Sequence, residues 1–190
     1  MPGISDPGSV VIQKCIDENI HFEVLPGPSA VLTALVYSGM DTTKFLFRGF
    51  LPRENKDRKA VIDEIKNAKD TIILYEAPHR LISTLEFLLK NLGNREIALC
   101  REISKMHEDI KRTDIKTAFE FYKNIDPKGE FVLVIRGKTE EEIEEEERDK
   151  WKDISIEDHI KKYIEDGKSK KDAVKLVAKD RDMPKSEVYK

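Results

Sequence analysis

Four side chains that can exchange protons or bind anions lie within the six-residue stretch YEAPHR. Tyr75, Glu76, His79 and Arg80 come directly after, or at the end of, an apolar segment that reads as a buried strand. A carboxylate and an imidazole can each accept a proton, and a guanidinium can bind a phosphate. A structural use is also open, because Glu76 can pair with Arg80 across the first turn of a helix. Since strand ends often carry function, we predict a functional role for this stretch.

Two stretches rich in glycine and proline, PGISDPG and LPGPSA, have the composition of tight loops that precede helices. In the first, Ser5 and Asp6 can hydrogen-bond a polar ligand while backbone N–H groups hold an anion; alternatively, Asp6 or Ser9 only caps the next helix. In the second, the backbone around Gly27 can approach a flat ligand, but a simple turn with Ser29 as helix cap is an equal alternative. Neither loop has Walker or GxGxxG spacing, so nucleoside triphosphates and dinucleotides are not indicated.

Charged residues also follow a later apolar segment, in the stretch CREISKMHE. The histidines of the chain are too far apart for a metal motif, and we predict no metal site. Cys15 and Cys100 are also far apart in the sequence, and this predicts two reduced and mostly buried thiols.

Short apolar runs alternate with amphipathic stretches from Pro7 to Arg136, which predicts an α/β layered fold. The predicted strands are IHFEVLP, KFLFRGFLP, DTIILYEAP, REIALCRE and GEFVLVIRG. The predicted helices are SVVIQKCIDEN, PSAVLTALVYSG, NKDRKAVIDEIKNA, PHRLISTLEFLLKNLG and KTAFEFYKN.

The end of the chain differs in character. Seven glutamates lie between Glu140 and Glu147, and we interpret this self-repelling segment as a solvated linker at a domain boundary, with an acidic interaction tail as the alternative. Beyond it, a helix ending at Gly167, a second helix opened by Ser169, and a third capped by Ser186 predict a small helix-turn-helix-like module. Its lysines can meet an RNA backbone, or they form an ordinary solvated face.

The whole chain of 190 residues has a formal net charge of -3, with 39% hydrophobic and 37% charged residues. This balance predicts neither a general nucleic-acid binder nor a membrane-surface protein. Without a signal-like or membrane-spanning apolar run, we expect a soluble, cytoplasmic protein.

Six motifs occur together in one order: PGISDPG, LPGPSA, FRGFLPR, ILYEAPHR, REISKMHE and GEFVLVIRG. With them the chain resembles the bacterial ribosomal small-subunit RNA methyltransferase I family, within the tetrapyrrole-methylase-like superfamily. The resemblance implies S-adenosylmethionine as the cofactor and 2′-O-methylation of a cytidine ribose in 16S rRNA of the small ribosomal subunit. Two alternatives stay open: a methylase of a tetrapyrrole or another small molecule, and a non-catalytic binding module.

The resemblance also implies the organisation of the chain. Family members bind the cofactor between two domains, and the N-terminal one is missing here, so we expect this chain to be inactive alone and to form a homodimer. The expected division is a loop, helix and interdomain connection (1–25), a mixed-sheet, cofactor-binding C-terminal α/β domain (26–137), an acidic linker (138–153) and a small helical module (154–190).

The resemblance assigns roles to individual residues. The cofactor is expected to contact Ser5, Asp6, Pro26, Gly27, Pro28, Ser29 and Ala30. The substrate is expected to contact Arg48, Arg53, Tyr75, Arg80 and Arg101. Glu76 and His79 are the candidate bases for an in-line displacement in which the ribose oxygen attacks the methyl carbon.

Overall fold

A mixed five-stranded sheet forms the centre of the larger part of the chain. The computed structural model describes residues 3–188, apart from the side chain of Glu147. The strands are β1 (Phe45–Phe50), β2 (Thr71–Glu76), β3 (Glu96–Arg101), β4 (Asp109–Asp114) and β5 (Phe131–Ile135). The helices are α1 (Ser9–Asp17), α2 (Ala30–Ser38), α3 (Asn55–Ile65), α4 (Pro78–Leu92), α5 (Ile115–Tyr122), α6 (Glu140–Asp149), α7 (Ile156–Glu165), α8 (Lys170–Asp180) and α9 (Lys185–Val188).

The strand order in the sheet is β1-β2-β5-β3-β4. Strands β1 and β2 are parallel, whereas β5 lies antiparallel between β2 and β3, and β4 is antiparallel to β3. Strands β2 and β3 therefore run in the same direction, and their carboxyl ends lie at the same edge as the amino end of β5. The segments that follow β2 and β3 and the segment that precedes β5 therefore meet at this edge.

Side chains of the central strands alternate between two hydrophobic clusters, as the pleat of a sheet requires. In β2, Ile72 and Leu74 belong to a cluster with residues of α3, α4 and α5, whereas Ile73 belongs to a second cluster with residues of α2. Strand β5 divides in the same way, with Leu133 in the first cluster and Val134 in the second. The sheet is thus covered on both faces, which explains why its central strands read as unbroken apolar runs.

The predicted elements and the structure differ at two places. Residues 20–26, predicted as a strand, pair with no strand of the described chain, and Val24 and Leu25 are exposed. An apolar run needs a neighbouring strand to form a ladder, and the propensity of this segment does not replace one. Conversely, β4 was not predicted, because its sequence DIKRTD is mostly charged; it is a half-exposed strand at the edge of the sheet.

The chain divides into two compact units, Met1–Gly137 and Lys138–Lys190. In the second unit, the acidic segment that we predicted to be a linker forms α6. A capping box between Thr139 and Glu142 satisfies the first backbone N–H groups, and glutamates in the first turn interact favourably with the helix dipole. These local gains outweigh the repulsion between like charges.

The helices at the end of the chain pack around a small core of Val174, Val177, Ala178 and Val188. Ser169 accepts a hydrogen bond from the backbone N–H of Asp172 at 3.2 Å, as the predicted cap requires. Ser186 lies inside α9 rather than at its cap, so that detail of the prediction was wrong.

His159 is fully buried in this helical unit. Its ring stacks on Trp151 with centroids 3.6 Å apart, and Nδ1 accepts a hydrogen bond from Nε of Arg181 at 3.2 Å. On its other side, Nε2 lies 3.4 Å from the carboxylate of Asp180. Burial, then the positive charges of Arg181 and Lys162, lower the pKa of His159, while Asp180 opposes the shift.

The stability of this unit is expected to fall as the pH drops below 6.5, the ordinary pKa of histidine. The folded state, with a lowered pKa, binds fewer protons there than the unfolded chain, so the free energy of unfolding decreases by up to about 1.4 kcal/mol per pH unit. Urea unfolding at several pH values, followed by the fluorescence of Trp151, the single tryptophan of the chain, measures this slope. His159→Gln removes it, and His107→Gln, at an exposed position, leaves it unchanged. An unchanged slope in His159→Gln contradicts the assignment.

Candidate functional site

A cavity of about 520 Å³ opens at the edge where β2 and β3 end and β5 begins. Its wall combines apolar, acidic and a few basic side chains. The residues that line it are Ile4, Ser5, Asp6, Ala30, Phe50, Tyr75, Glu76, Ala77, Pro78, His79, Cys100, Glu102, Ile103, Lys105, Glu130, Phe131 and Val132.

The loop Gly3–Gly8 forms one wall of the cavity through Ile4, Ser5 and Asp6. The caps considered from the sequence are not formed: Gly8 is the N-cap of α1 and no side chain hydrogen-bonds there. The loop packs against Gly49, whose φ of +61° lies in the left-handed region at an irregularity of β1. A Cβ on Gly49 would lie 2.9 Å from Oγ of Ser5, so a larger residue would force that side chain to shift, and the left-handed φ itself favours glycine.

The junction between β2 and α4 is organised around the carboxylate of Glu76, whose side chain has no solvent exposure. Oε2 accepts a hydrogen bond from Oγ1 of Thr84 at 2.5 Å, and Oε1 accepts one from the backbone N–H of Ala77 at 2.9 Å. Nε of Arg80 lies 3.5 Å from Oε1, and Nη2 of Arg80 donates to the carbonyl of Leu51 at 2.7 Å. The structural pairing considered from the sequence is therefore present, and it ties β2, α4 and the segment after β1 together.

His79 follows in the first turn of α4, is exposed and borders the cavity. Within residues 3–188, no hydrogen bond or ion pair holds its imidazole, which leaves both ring nitrogens available to a ligand. Of the two candidate bases, the carboxylate is fully engaged inside the protein and the imidazole is not.

The opposite rim of the cavity is a turn held by an ionic cluster. Nζ of Lys105 donates to Oε1 of Glu102 and to Oε2 of Glu130, each at 3.0 Å. The backbone N–H of Glu130 donates to Oε1 of Glu102 at 2.8 Å, and this hydrogen bond, then Lys105, lowers the pKa of Glu102. The same contacts with Glu102 and Glu130 raise the pKa of Lys105. The cluster ties Glu102 and Lys105, in the turn that follows β3, to Glu130 before β5.

Two further groups of the wall are tuned by burial. Burial raises the pKa of the Cys100 thiol to about 11, so this sulfur stays protonated at neutral pH and is a poor nucleophile. Burial, with a contribution from Glu130, also raises the pKa of Tyr75, whose ring packs edge-on against Phe47 at 5.1 Å. The cavity therefore offers no thiolate for covalent catalysis.

Cys15, expected to be mostly buried, is partly exposed, and both thiols are free.

The structure brings six of the predicted site residues to the cavity: Ser5, Asp6, Ala30, Tyr75, Glu76 and His79. The other predicted site residues do not line it: Pro26, Gly27, Pro28, Ser29, Arg48, Arg53, Arg80 and Arg101. Pro26, Gly27 and Pro28 are exposed, and Ser29 occupies the N-cap position of α2 without a side-chain hydrogen bond.

The arginines predicted to meet the substrate have different surroundings. Arg80 is engaged with Glu76 and Leu51, Arg48 forms an ion pair with Glu64, and Arg53 is exposed. Their substrate roles stay predictions.

Sequence reasoning missed part of the wall, chiefly Phe50, Glu130, Phe131 and Val132. Three of these lie at the amino end of β5, which reaches the site only because β5 runs antiparallel to its neighbours. The apolar pattern of β5 does not encode its direction, so no local signal could have placed them here.

Neither a metal cluster nor a membrane span is found in the part of the chain that the structure describes. No group of three or more His, Cys, Asp or Glu side chains within residues 3–188 is placed to hold a metal ion. No described helix is both long and apolar enough to cross a bilayer.

Gly49→Ala is expected to loosen the loop Gly3–Gly8, because the new Cβ would lie only 2.9 Å from Oγ of Ser5 and would force Ser5 to shift. The left-handed φ alone costs about 1–2 kcal/mol. Gly39→Ala is the matched control, since Gly39 has a φ of +74° and nothing within 4 Å of its added Cβ. Both variants are expected to lose stability, but only Gly49→Ala speeds hydrogen–deuterium exchange in the loop. Equal exchange in the two variants would show that the contact does not hold the loop.

Glu76→Gln is expected to destabilise the fold by about 3 kcal/mol, because it leaves Arg80 without its buried counter-charge. Glu86→Gln, which removes an exposed carboxylate from the same helix, is expected to change stability by less than about 0.5 kcal/mol. Denaturant unfolding followed by circular dichroism measures both. A Glu76→Gln protein as stable as Glu86→Gln would remove the structural role.

Comparison with known proteins identifies a matching family and related sequences. The sequence profile of the family described as Tetrapyrrole (Corrin/Porphyrin) Methylases matches residues 1–118. The ribosomal RNA small subunit methyltransferase I of Halalkalibacterium halodurans is 42% identical over 189 residues, covering 100% of this chain and 65% of the relative. The protein of the same name from Bacillus subtilis is 41% identical, covering 100% of this chain and 64% of the relative. The chain thus spans slightly under two thirds of the length of these relatives.

A solved structure shows the same fold. The crystal structure of the methyltransferase CobJ superposes with a TM-score of 0.53, covering 72% of this chain and 61% of that one. At 16% sequence identity, this likeness concerns the fold alone.

The α/β fold with a mixed sheet and the family resemblance predicted from the six motifs are both confirmed. The relatives that match the whole chain are named as ribosomal RNA methyltransferases, and the matching family is one of methyltransferases. The chain belongs to the tetrapyrrole (corrin/porphyrin) methylase family.

Proposed function

We propose that this chain carries the catalytic cavity of an S-adenosylmethionine-dependent methyltransferase that methylates the 2′-oxygen of a cytidine ribose in 16S rRNA. The observation that supports it is the convergence of three segments on one cavity: the loop at Ser5, the junction at Glu76 and the turn at Lys105. They converge in a chain whose whole length matches proteins named ribosomal RNA small subunit methyltransferase I.

The cavity suits the cofactor in size and in charge. Its volume of about 520 Å³ lies within the range of roughly 300–1,000 Å³ typical of small-molecule sites. S-adenosylmethionine carries a sulfonium and an ammonium, and the wall holds the carboxylates of Asp6, Glu102 and Glu130. Phe50 and Val132 provide apolar surface for a flat ring. From the predicted cofactor residues, Ser5, Asp6 and Ala30 are the ones that this cavity would use.

The chemistry that the chain itself contributes is positioning and proton transfer. When bound, S-adenosylmethionine supplies an electrophilic methyl group on a cationic sulfur. His79 is the side chain that we propose to accept the proton of the ribose hydroxyl, because its imidazole is exposed at the cavity and unengaged by described residues. Glu76 holds the turn on which His79 sits. With Cys100 protonated, direct transfer without a covalent enzyme intermediate fits the wall best.

The proposal extends to the whole protein. Since the chain spans 64–65% of the length of these two relatives, activity, substrate and partners belong to the proposal rather than to the comparison. We propose that the reaction takes place on the small ribosomal subunit in the cytoplasm and that the enzyme is a homodimer. We also propose that the chain is organised in four segments: 1–25, 26–137, 138–153 and 154–190.

Deletion of the gene that encodes the chain is expected to abolish a 2′-O-methylcytidine of 16S rRNA. Nuclease digestion of purified 16S rRNA followed by liquid chromatography and mass spectrometry of the nucleosides measures it. The wild-type gene and a Glu86→Gln variant are expected to restore the modified nucleoside. A His79→Ala variant is expected to restore less than about a tenth of it, since a general base contributes roughly 10²–10⁴-fold to rate.

The outcomes separate the alternatives. Unchanged rRNA nucleosides together with an altered tetrapyrrole pool would indicate a small-molecule methylase. Normal methylation with the His79→Ala gene would remove the base assignment and leave the proposed function standing. A protein that does not bind S-adenosylmethionine by calorimetry, with no change in methylated nucleosides, would favour a non-catalytic module.

A further inference from the structure

The helical unit Lys138–Lys190 carries its charges unevenly. Its acidic residues are concentrated at the start, where seven glutamates lie between Glu140 and Glu147. Further along, the segment KSKKDAVKLVAK, residues 168–179, contains five lysines and a single carboxylate. A strongly basic segment thus occurs in a chain whose formal net charge is -3.

Three of these lysines lie along one side of α8. Lys171, Lys175 and Lys179 follow one another at intervals of four residues, which places them in a row on a helix, and all three are exposed. Another side of α8, with Val174 and Val177, packs into the small core of the unit. We call Lys171, Lys175 and Lys179 the lysine stripe.

Only one carboxylate among the described residues compensates the lysine stripe. Nζ of Lys175 donates to Oδ1 of Asp172 at 3.0 Å, and the same carboxylate accepts a hydrogen bond from Oγ of Ser169 at 2.8 Å. No ion pair joins Lys171 or Lys179 to a carboxylate of the described residues. The stripe therefore keeps an excess of positive charge.

The aspartates at the end of α8 and after it interact with other residues. Asp180 accepts a hydrogen bond from the hydroxyl of Tyr163 at 2.5 Å. Asp182 accepts one from Nη1 of Arg148 at 3.2 Å. Neither carboxylate forms an ion pair with the stripe.

The preceding helix, α7, has the charge pattern of an ordinary solvated face. Acidic and basic residues alternate there at intervals of four, in the two series Glu157, Lys161, Glu165 and Asp158, Lys162, Asp166. Such alternation stabilises a helix, whereas like charges four residues apart destabilise it. The lysine stripe therefore opposes the stability of α8, and this indicates a role other than folding.

A row of uncompensated cations is complementary to a chain of regularly spaced anions, and the phosphate backbone of RNA is such a chain. An anionic membrane surface fits less well, because the apolar side of α8 that would enter the lipid is already buried in the core of the unit. The unit also lies outside residues 1–118, the part of the chain that matches the methylase family. The methyl transfer common to that family therefore does not account for the stripe.

We propose that the lysine stripe binds the phosphate backbone of the RNA on which the enzyme acts. This inference rests on the proposed function, which makes that RNA 16S rRNA, and it adds a second contact with the RNA in the helical unit. Contacts with phosphates position a protein on a nucleic acid and carry no sequence information. The stripe thus supplies affinity, and the choice of the cytidine is left to the catalytic cavity.

The test is the binding of the complete protein that the gene encodes to 16S rRNA transcribed in vitro, measured by filter binding at several salt concentrations. The variant Lys171→Gln/Lys175→Gln/Lys179→Gln is expected to bind about 10- to 100-fold more weakly at about 0.1 M salt, because it releases fewer counterions. The dependence of log K on log salt is expected to become less steep by about 2, as the loss of three phosphate contacts requires. An unrelated transcript of the same length is expected to lose affinity by the same factor.

Two controls separate the stripe from net charge and from lysine itself. Lys90→Gln/Lys116→Gln/Lys161→Gln removes the same charge from exposed positions of three other helices, and its affinity is expected to stay within about twofold of the wild-type value. Replacement of the three stripe lysines by arginine keeps the charge and is expected to keep the affinity within about twofold. An equal loss in the two glutamine variants overturns the proposal, because net charge alone would then explain it. A loss in the arginine variant as large as in the stripe glutamine variant also overturns it.

The failure of the proposed function is measured separately, as the transfer of tritiated methyl groups from S-adenosylmethionine to small ribosomal subunits of the deletion strain. If the wild-type protein transfers none, the proposed function fails, and weaker RNA binding by the stripe variant still supports an RNA-backbone site. A stripe variant that binds naked rRNA normally but whole subunits weakly would indicate an acidic protein surface and overturn the proposal. The midpoint of thermal unfolding of the stripe variant is expected to equal or exceed the wild-type value, since repulsion is removed, so weaker binding is not a loss of the fold.

Discussion

A carboxylate removed from water needs hydrogen bonds and a counter-charge, or it costs several kcal/mol. Glu76 accepts hydrogen bonds from Thr84 and from the backbone N–H of Ala77, and it forms an ion pair with Arg80. These partners belong to α4 and to the turn that begins it, while Arg80 reaches on to the carbonyl of Leu51 beyond β1. One buried group therefore fixes where a strand ends, where a helix begins and where the neighbouring loop passes. The orientation of His79 and the floor of the main cavity depend on this arrangement.

The direction of β5 is the second constraint. Its antiparallel insertion between β2 and β3 brings Glu130 and Phe131 to the same edge as the residues that end those strands. Glu130 then completes the ionic cluster with Lys105, and Phe131 joins the wall of the cavity. A parallel β5 would place both residues at the opposite edge of the sheet.

The sequence could predict those features that are determined by residues close together in the chain, and it could not predict contacts between distant segments. The β2–α4 junction was foreseeable, since an apolar run followed by Pro78 specifies a strand end and a helix start within a few residues. The composition of the loop at Ser5 predicted a tight turn before a helix, but its contact with Gly49 was not predictable, because that contact joins distant parts of the chain. The engagement of Arg80 with Leu51 and the cluster of Glu102 with Glu130 are likewise long-range.

In the acidic run, two local effects compete. The acidic run repels itself, but the capping box of Thr139 supports α6, and charge density alone does not show which effect prevails. Strand β4 formed despite polar residues because an edge strand needs only one neighbour and one covered face.

Strand β4 also affects whether the sheets of two molecules can pair edge to edge. Its free edge carries Asp109, Lys111, Arg112 and Asp114, so a second strand added there would have to strip water from closely spaced charges. At the other edge, the irregularity of β1 at Gly49 interrupts the even ladder that a strand from another molecule would extend. Both edge strands of the sheet thus oppose the addition of a strand from another molecule.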